Sequence, residues 1–346
     1  MTKRRDFMVR VATGLAASLP VGAARPRPAA AAPVSAGAAS ASGSASKGSP
    51  SASPLGRRVV PSPVPSLVPP GVIKDGRPIG SLGIDPAVAY PDVRSYRKKL
   101  GVLLPATNTS VEHELYSLIF KNQANGLDGI GLHTAGVVTP RPRLRDAADL
   151  IEYKQQFLSG LLTALDAALL ARPHALLMGM SLEHILYGIG DIRATMAEVA
   201  ARSGLFCATW HDAAQAALGK LGARRIGLLT PFDATGNKNA ARMFEDLGFQ
   251  VITSIGFACG DAQHIAHIPD FAKERAIVEH LATRENRLDA VVQCGTNMSL
   301  IDVSERIEPK VGIPILGINA VTLWYALREL GFSQPLVGGG RLLREH

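Results

Sequence analysis

The sequence predicts an α/β fold with parallel sheets, and three observations support that prediction. From residue 99 onward, short apolar runs alternate with longer amphipathic stretches. The apolar runs are nearly continuous, which is typical of parallel strands buried on both faces. A weak internal repeat relates the two halves of this region. Together these observations predict two similar lobes, each with its own sheet.

The apolar runs indicate strands because each is short and bounded by glycine, proline or polar residues. In order, they cover residues 99–105, 129–136, 174–180, 205–209, 224–231, 250–258, 288–295 and 313–320. The amphipathic stretches between them have the apolar spacing of helices. They cover residues 146–171, 189–202, 211–221, 237–247, 271–285 and 321–331.

The internal repeat is clearest at two strand ends. "ALLMGMS" (175–181) aligns without gaps on "AVVQCGT" (290–296), which pairs Gly179 with Cys294. Ligand sites of open α/β sheets lie at the carboxyl ends of strands. We therefore expect two pseudo-symmetric Rossmann-like (flavodoxin-like) lobes, with the active site in the interlobe cleft.

The predicted organisation has four parts. Residues 98–209 together with 318–346 form the first α/β lobe, and residues 210–317 form the second. Residues 33–97, which are rich in Ala, Ser and Pro, are expected to be a disordered spacer and lead-in. Such a segment buries too little apolar surface to offset the entropy lost on ordering. Residues 1–32 have the pattern of an export signal.

The export signal is predicted from paired arginines. Arg4 and Arg5 precede Phe7 and Met8, and an Ala-rich apolar run follows. This order is typical of a twin-arginine signal, which predicts a periplasmic or exported protein. An ordinary Sec signal and a disordered basic tail are the alternative interpretations. The apolar run is too short for a spanning helix, so no membrane association beyond export is expected.

The net charge of +8 belongs to the N-terminal extension. Residues 1–70 hold nine of the 37 Lys and Arg residues and one of the 29 Asp and Glu residues, so residues 71–346 carry equal numbers of each sign. The body of the chain also has no basic stripe with interleaved aromatic residues. Both observations argue against a nucleic-acid partner.

The chain has three cysteines, so at least one thiol is free. Cys207 is interpreted as a structural strand residue. Cys259 lies at a strand exit without an assigned role, and a disulfide between these two is possible although their spacing does not support it. Cys294 is either an inert core residue or, because Gly-Thr-Asn follows it at a strand end, a reactive one.

Three segments resemble the aspartate/glutamate racemase superfamily. They are "LGVLLPATNTSVEHELY" (100–116), "LMGMSLEHILYG" (177–188) and "VVQCGTNMSLIDVSERIE" (291–308). Within that superfamily they look most like the branch of arylmalonate decarboxylases and maleate cis-trans isomerases, over about residues 98–335. The resemblance implies an enzyme of small carboxylates that uses no metal and no organic cofactor. It leaves the oligomeric state open.

The resemblance also implies a role for the two paired strand ends. Racemases and maleate isomerases of the superfamily carry one cysteine from each lobe, whereas arylmalonate decarboxylases have glycine at the first position. Gly179 and Cys294 match the decarboxylase pattern. A lone thiol serves one face of the reacting carbon, which does not suit two-base racemisation. Maleate isomerisation relies there on thiol addition by the first cysteine, and Gly179 has no nucleophile.

The predicted reaction is therefore decarboxylation of a malonate-type, arylmalonate-like diacid. Loss of CO₂ leaves an enediolate, which needs hydrogen-bond donors around the remaining carboxylate and a proton from Cys294. A free thiol, with a pKa of about 8.5, is mostly protonated at neutral pH. The expected substrate-binding residues are Asn108, Gly179, Met180, Ser181, Phe232, Gly295, Thr296 and Asn297.

Several residues depart from the decarboxylase pattern. Met180 stands where those enzymes have a hydroxyl-bearing residue, Phe232 where they have tyrosine, and Thr296 where they have a second glycine. Asn108 and Asn297 resemble the carboxylate-binding asparagines of maleate isomerases. One alternative is therefore a maleate cis-trans isomerase or an Asp/Glu-type racemase of small carboxylic acids. Another is a periplasmic carboxylate-binding protein without catalysis.

Some of these residues also have simpler interpretations. Ser181 is a candidate helix N-cap, with Glu183 and His184 in the first turn, and Asn108 is a candidate turn or cap residue. The histidines of "HIAH" (264–267) have a spacing that suits metal ligands on a helix. The spacing suggests no third ligand, so no metal site is expected.

Overall fold

A computed structural model describes residues 72–80, 82–83, 90–139 and 147–346. The predicted export signal, and the part of the predicted spacer before residue 72, lie outside the described residues. The described residues all belong to one compact unit. Within these ranges, no helix combines the length and the apolar character needed to cross a membrane.

The first two strands form an antiparallel hairpin. These are β1 (Val72–Lys74) and β2 (Arg77–Gly80). Asp75 and Gly76 connect them with φ angles of 50° and 73°. Positive φ at both positions is what a tight two-residue hairpin turn requires, and Asp-Gly favours it. The hairpin lies in the lead-in part of residues 33–97, and the spacer and lead-in stay a prediction; composition alone gave no sign of this turn pair.

The next elements build the first lobe around a four-stranded parallel sheet. They are β3 (Lys98–Pro105), α1 (Val111–Lys121), β4 (Ile130–Val137), α2 (Ala147–Leu169), β5 (Ala175–Met178), α3 (Gly188–Ser203) and β6 (Cys207–Ala208). In space the strands lie in the order β4, β3, β5, β6, and all pairs are parallel.

The second lobe repeats this arrangement. Its elements are α4 (Trp210–Lys220), β7 (Arg225–Thr230), α5 (Ala234–Asp246), β8 (Gln250–Gly256), α6 (Asp270–Arg275), β9 (Ala290–Gln293), α7 (Ile301–Val311) and β10 (Ile315–Gly317), and α8 (Ile318–Glu329) and α9 (Arg341–Glu345) follow. The strands lie in the order β8, β7, β9, β10, again all parallel.

Both sheets thus share one topology. In each, the first strand in sequence lies between the second and the third, and the fourth pairs with the third. The third strands, β5 and β9, have the bounds that the gapless alignment predicts. The predicted fold of two similar α/β lobes with parallel sheets is confirmed, whereas the residue limits of the lobes stay a prediction. Gly179 and Cys294 follow equivalent strands, beside the point where the strand order reverses.

The main error in the strand predictions is at residues 313–320. There β10 ends at Gly317 and α8 begins at Ile318. Most of α8 is buried, so its apolar residues continue the apolar run of the strand without a change in pattern. Periodicity cannot separate a buried strand from a buried helix. The structure also adds α1 and α7, which the apolar spacing did not single out.

The lobes share a continuous core. Helices α4 and α8 pack against each other, and α8 also contacts α1, β5 and β6. One buried apolar cluster includes Leu103 and Leu177 of the first sheet and Leu228 and Val292 of the second. This packing fixes the two sheets relative to each other, and with them the strand ends.

A buried carboxylate also joins the lobes. Glu114 on α1 is 2% exposed. Its Oε1 accepts hydrogen bonds from the backbone N–H groups of Leu300 (2.7 Å) and Ile301 (2.8 Å) and from Ser299 Oγ (2.9 Å). Its Oε2 accepts one from Asn319 Nδ2 at 2.6 Å. The first N–H groups of a helix lack partners within it, and its positive end favours an anion. Glu114 therefore caps α7 of the other lobe.

We predict that Glu114→Gln lowers the free energy of unfolding by about 2–3 kcal/mol, because hydrogen bonds to a charged group contribute about 1.5–3 kcal/mol. Urea denaturation followed by circular dichroism measures the change. Glu112→Gln, an exposed position on the same helix, is the control and should stay within about 0.5 kcal/mol of the wild type. Equal stability of the two variants would show that α7 does not depend on this carboxylate.

Candidate active site

Cys294 lies at the end of β9 and is completely buried. Its backbone N–H donates to Leu229 O on β7 at 3.0 Å, which holds it against the neighbouring strand. Its Sγ accepts a hydrogen bond from Trp210 Nε1, at the start of α4, at 3.4 Å. The thiol therefore lies where the end of the second sheet meets α4, shielded from solvent in this conformation.

The chain turns sharply directly after Cys294, and only glycine permits that turn. Gly295 has a φ of 91°, and a Cβ there would lie 2.5 Å from two ring atoms of Pro231. Gln293 supports the turn: its Nε2 donates to the carbonyls of Cys294 and Gly295, each at 2.7 Å. Its Oε1 accepts from the N–H of Ile318 at 3.1 Å. Gln293 is a supporting residue that the sequence analysis missed.

Gly179 follows β5 at the position equivalent to Cys294. A Cβ built there would lie 3.2 Å from both Leu103 O and Val111 Cγ1, within the first lobe. Such a contact is tight, because protein interiors are close-packed. Close packing is thus one reason for glycine at this position. The resemblance to decarboxylases, which also have glycine here and so lack the first thiol, is another.

Other predicted site residues meet across the two lobes. Ser181 Oγ accepts a hydrogen bond from the Gly295 N–H at 2.8 Å. Asn108 Nδ2 donates to Thr296 Oγ1 at 3.0 Å. Each pair joins a residue after a strand of the first sheet to one after β9. The structure therefore brings these predicted residues together, and they satisfy each other's hydrogen-bonding groups.

The two asparagines also have structural roles. Asn108 Oδ1 accepts from the N–H groups of Ser110 and Val111, each at 2.9 Å, so Asn108 closes the turn that leads into α1, whose N-cap position is Ser110. Asn297 Oδ1 accepts from the Thr109 N–H at 3.0 Å. The amide oxygens of both residues are thus occupied by backbone N–H groups, while an N–H of Asn108 still points across to the other lobe.

The loop after β5 differs from the N-cap interpretation of Ser181. Helix α3 begins at Gly188, whose φ is 73°, so Ser181, Glu183 and His184 precede it and that interpretation is wrong. Ser181 instead uses its hydroxyl group to contact the other lobe. The ring of His184 stacks on Phe232 of the second lobe, with ring centroids 4.8 Å apart.

Glu183 is the titratable residue at the site that sequence reasoning did not identify. It is 1% exposed, and burial raises its pKa to about 7, although its own backbone N–H and the neighbouring Cys294 and Ser181 side chains act in the opposite direction. Its Oε1 has no hydrogen-bond partner. Burial also holds the pKa of Cys294 well above its usual value, and the charge of Glu183 adds to this effect. At neutral pH the thiol is therefore protonated.

A small cavity lies beside Glu183. Its lining includes Met178, Met180, Glu183, Trp210 and His211. The space open to the centre of a water molecule inside it is about 10 Å³. A cavity of this size holds about one water molecule. Since Cys294 itself is completely buried, a diacid reaches it only when the strand-end loops or the lobes move apart.

The remaining candidates do not form a site. All three cysteines are free thiols, so Cys207 and Cys259 form no disulfide. His264 and His267 lie on a short 3₁₀ turn, with ring centroids 5.7 Å apart. In the part of the chain that the structure describes, no group of three or more His, Cys, Asp or Glu side chains is placed to hold a metal ion.

Comparisons with known proteins agree with this geometry. The family model for arylmalonate decarboxylase matches residues 167–343, just over half of the chain. The maleate isomerase of Nocardia farcinica (strain IFM 10152) is 23% identical over 258 residues, which cover 72% of this chain and 96% of that protein.

Two solved structures share the fold. The Nocardia farcinica maleate cis-trans isomerase bound to TRIS has a TM-score of 0.60 and 22% identity, covering 72% of this chain and 98% of its own. An arylmalonate decarboxylase has a TM-score of 0.55 and 17% identity, covering 72% of this chain and 100% of its own. The family match includes both Gly179 and Cys294. The chain therefore belongs to the arylmalonate decarboxylase family, in the branch of the aspartate/glutamate racemase superfamily that its strand-end motifs predict.

Proposed function

We propose that the protein is a cofactor-independent decarboxylase of a malonate-type, arylmalonate-like diacid, and that Cys294 protonates the enediolate. The observation that carries the proposal is a single protonated thiol at the end of β9, with glycine at the equivalent end of β5. Decarboxylation followed by protonation needs one acid on one face of the carbon. The family membership makes this reaction class the first to test.

The environment of Cys294 suits an acid better than a nucleophile. Burial and the nearby charge of Glu183 keep the proton on the thiol. Addition of sulfur to a double bond requires the thiolate, which the same surroundings destabilise. The thiol is therefore ready to donate a proton once the enediolate forms beside it.

The polar groups that pair across the lobes are suitable ligands for a carboxylate. The Ser181 hydroxyl, the Gly295 N–H and the Asn108 amide bond to one another or to Thr296 in the closed conformation. A carboxylate entering between the strand ends would accept hydrogen bonds from these donors, so they would not be left buried and unpaired. The same donors would stabilise the negative charge that grows on the carboxylate during loss of CO₂.

Two apolar residues favour a substrate with an apolar substituent. Met180 is 2% exposed and Phe232 is 8% exposed. They stand where the resemblance leads us to expect a hydroxyl-bearing residue and a tyrosine. They therefore reduce the number of donors at the site and increase its apolar surface, which suits an aryl or alkyl group on the malonate carbon.

The second candidate function is cis-trans isomerisation of maleate. The similarity to the Nocardia farcinica maleate isomerase over 96% of that protein favours it. So does the position of Asn108 and Asn297 at the strand ends. The absence of a thiol at Gly179 opposes it, since the resemblance implies that isomerases of this superfamily use a cysteine there.

We predict that Cys294→Ala lowers turnover about 10²–10⁴-fold, the usual contribution of a general acid. Proton NMR in D₂O would follow the conversion of phenylmalonate to deuterated phenylacetate. Cys259→Ala removes a half-buried free thiol and is the matched control, with turnover expected to equal that of the wild type. Full activity of Cys294→Ala would remove Cys294 from the mechanism, and conversion of maleate to fumarate instead would favour the second candidate.

A lone thiol also predicts the stereochemistry of the product. Because one acid protonates one face of the enediolate, methyl-phenylmalonate should give a single enantiomer of 2-phenylpropionate. Chiral chromatography of the product measures this. Product formed from methyl-phenylmalonate without enzyme is the reference for unassisted protonation. A racemic product from the wild type would contradict protonation by Cys294 alone.

A further inference from the structure

We infer that Glu183 is a positioning residue that keeps the proton on the Cys294 thiol and returns it after each turnover. The inference rests on the proposed role of Cys294 as proton donor. It is drawn from the placement of a buried carboxyl group beside the thiol, with one unpaired oxygen, in the wall of a cavity that can hold about one water molecule.

The contacts of Glu183 tie it to the thiol and to the turn that follows it. Glu183 and Cys294 each change the pKa of the other, and Ser181 also acts on the pKa of Glu183, so the carboxyl group lies beside the thiol and the Ser181 side chain. The same hydroxyl oxygen accepts from the Gly295 N–H at 2.8 Å. Trp210 donates to Sγ from α4 at 3.4 Å and lines the cavity with Glu183. A change in the protonation of one group is therefore felt directly by the other.

The fold gives no packing reason for a carboxyl group at this position. The surrounding side chains include Met178, Met180 and Met243, which would pack well against an apolar residue. A buried carboxyl group with an unpaired oxygen destabilises a fold, because it loses its hydration without full compensation. Violations of this kind are expected where function requires them.

The proton transfers balance over one turnover. Once CO₂ has left, the S–H bond of Cys294 breaks and its proton forms the new C–H bond of the product, which leaves a thiolate. Protonated Glu183 then gives its proton to Sγ and becomes a carboxylate. Water that exchanges through the cavity restores the proton on Glu183. Each turnover thus takes one proton from solvent, as conversion of a dicarboxylate into a monocarboxylate and CO₂ requires.

Other titratable groups reach the pair from α4. His211 lines the same cavity and is 3% exposed. Burial lowers its pKa, while Asp212 opposes this effect and Arg193 adds to it, so His211 is neutral at neutral pH. Helices α3 and α5 contribute the uncharged Ile192 and Met243 to the lining. The charge that changes beside Cys294 near neutral pH is therefore that of Glu183.

A titration of the thiol in the full chain tests the inference without any substrate. The ultraviolet absorbance of thiolate is followed against pH, and the difference from Cys294→Ser isolates this thiol. Glu183→Gln removes the neighbouring charge and should shift the titration of Cys294 about 1–3 pH units lower. Glu198→Gln, exposed on α3, is the matched control and should shift nothing. An unshifted titration in Glu183→Gln overturns the inference.

The dependence of stability on pH separates a functional from a structural carboxylate. The pKa of Glu183 rises from 4.5 to about 7 on folding. Between these values the folded chain keeps a proton that the unfolded chain has lost, so stability falls as the pH rises through this window. Glu183→Gln should lack this decline and should be more stable than the wild type in urea at neutral pH and above. A variant that is less stable there would assign Glu183 a structural role and overturn the inference.

Kinetics with phenylmalonate separate this inference from the proposed function. In the wild type, kcat should fall as the pH rises through about 7, because Glu183 loses the proton that it must return. Glu183→Gln should have a lower kcat without this fall and an unchanged KM. An identical pH profile in both proteins overturns the relay. If no substrate is turned over while the thiol titration still shifts, the proposed function fails and the control of the Cys294 proton by Glu183 stands.

Discussion

The carboxylate of Glu114 is the constraint on which the candidate site depends. It binds the first N–H groups of α7 from the other lobe, and α7 follows the loop that carries Cys294. Asn319 extends this link, since its Nδ2 donates both to Glu114 Oε2 at 2.6 Å and to Thr296 O at 2.8 Å. One buried anion thus fixes α1, α7, α8 and the loop after β9 together. The strand ends of two separate sheets can then meet with defined geometry.

Burial explains both the chemistry of the site and its effect on stability. The same desolvation that keeps the Cys294 thiol protonated raises the pKa of Glu183 into the neutral range. A carboxyl group that gains and loses its proton near neutral pH is well suited to reprotonate a neighbouring acid after each turnover. The unpaired Oε1 of Glu183 lowers the stability of the closed state. The hydrogen bonds between Ser181 and Gly295 and between Asn108 and Thr296 stabilise the closed state. Substrate must break them to enter.

Much of the fold, and the cluster around Cys294, follow from the sequence for identifiable reasons. Parallel strands buried on both faces give continuous apolar runs, and a duplicated lobe gives the alignment of Gly179 with Cys294. Because β5 and β9 are equivalent strands, they end at equivalent places in their sheets, and the residues that follow them lie close together. Composition gave no sign of the hairpin at residues 72–80, which two residues with positive φ allow. The apolar pattern did not predict the start of α8 at Ile318, because a buried helix there directly follows a buried strand.

The residues that sequence reasoning missed are buried polar residues whose partners no local pattern indicates. Glu114, Glu183 and Gln293 are polar residues in otherwise buried surroundings, and that mismatch is the signal that could have found them. The partners of Glu114 are set by tertiary packing between the lobes, whereas Gln293 bonds mainly to the turn that directly follows it. The N-cap interpretation of Ser181 failed for a related reason, since the loop before α3 is held by contacts to the second lobe.

The most direct test of the account is the fate of the substrate carboxyl carbon. Purified protein would be given phenylmalonate labelled with ¹³C in both carboxyl groups, together with unlabelled maleate, and ¹³C NMR and proton NMR would follow both. The account predicts that one labelled carbon per molecule appears as CO₂ and bicarbonate while maleate is unchanged. Intact phenylmalonate with fumarate accumulating from maleate would contradict it.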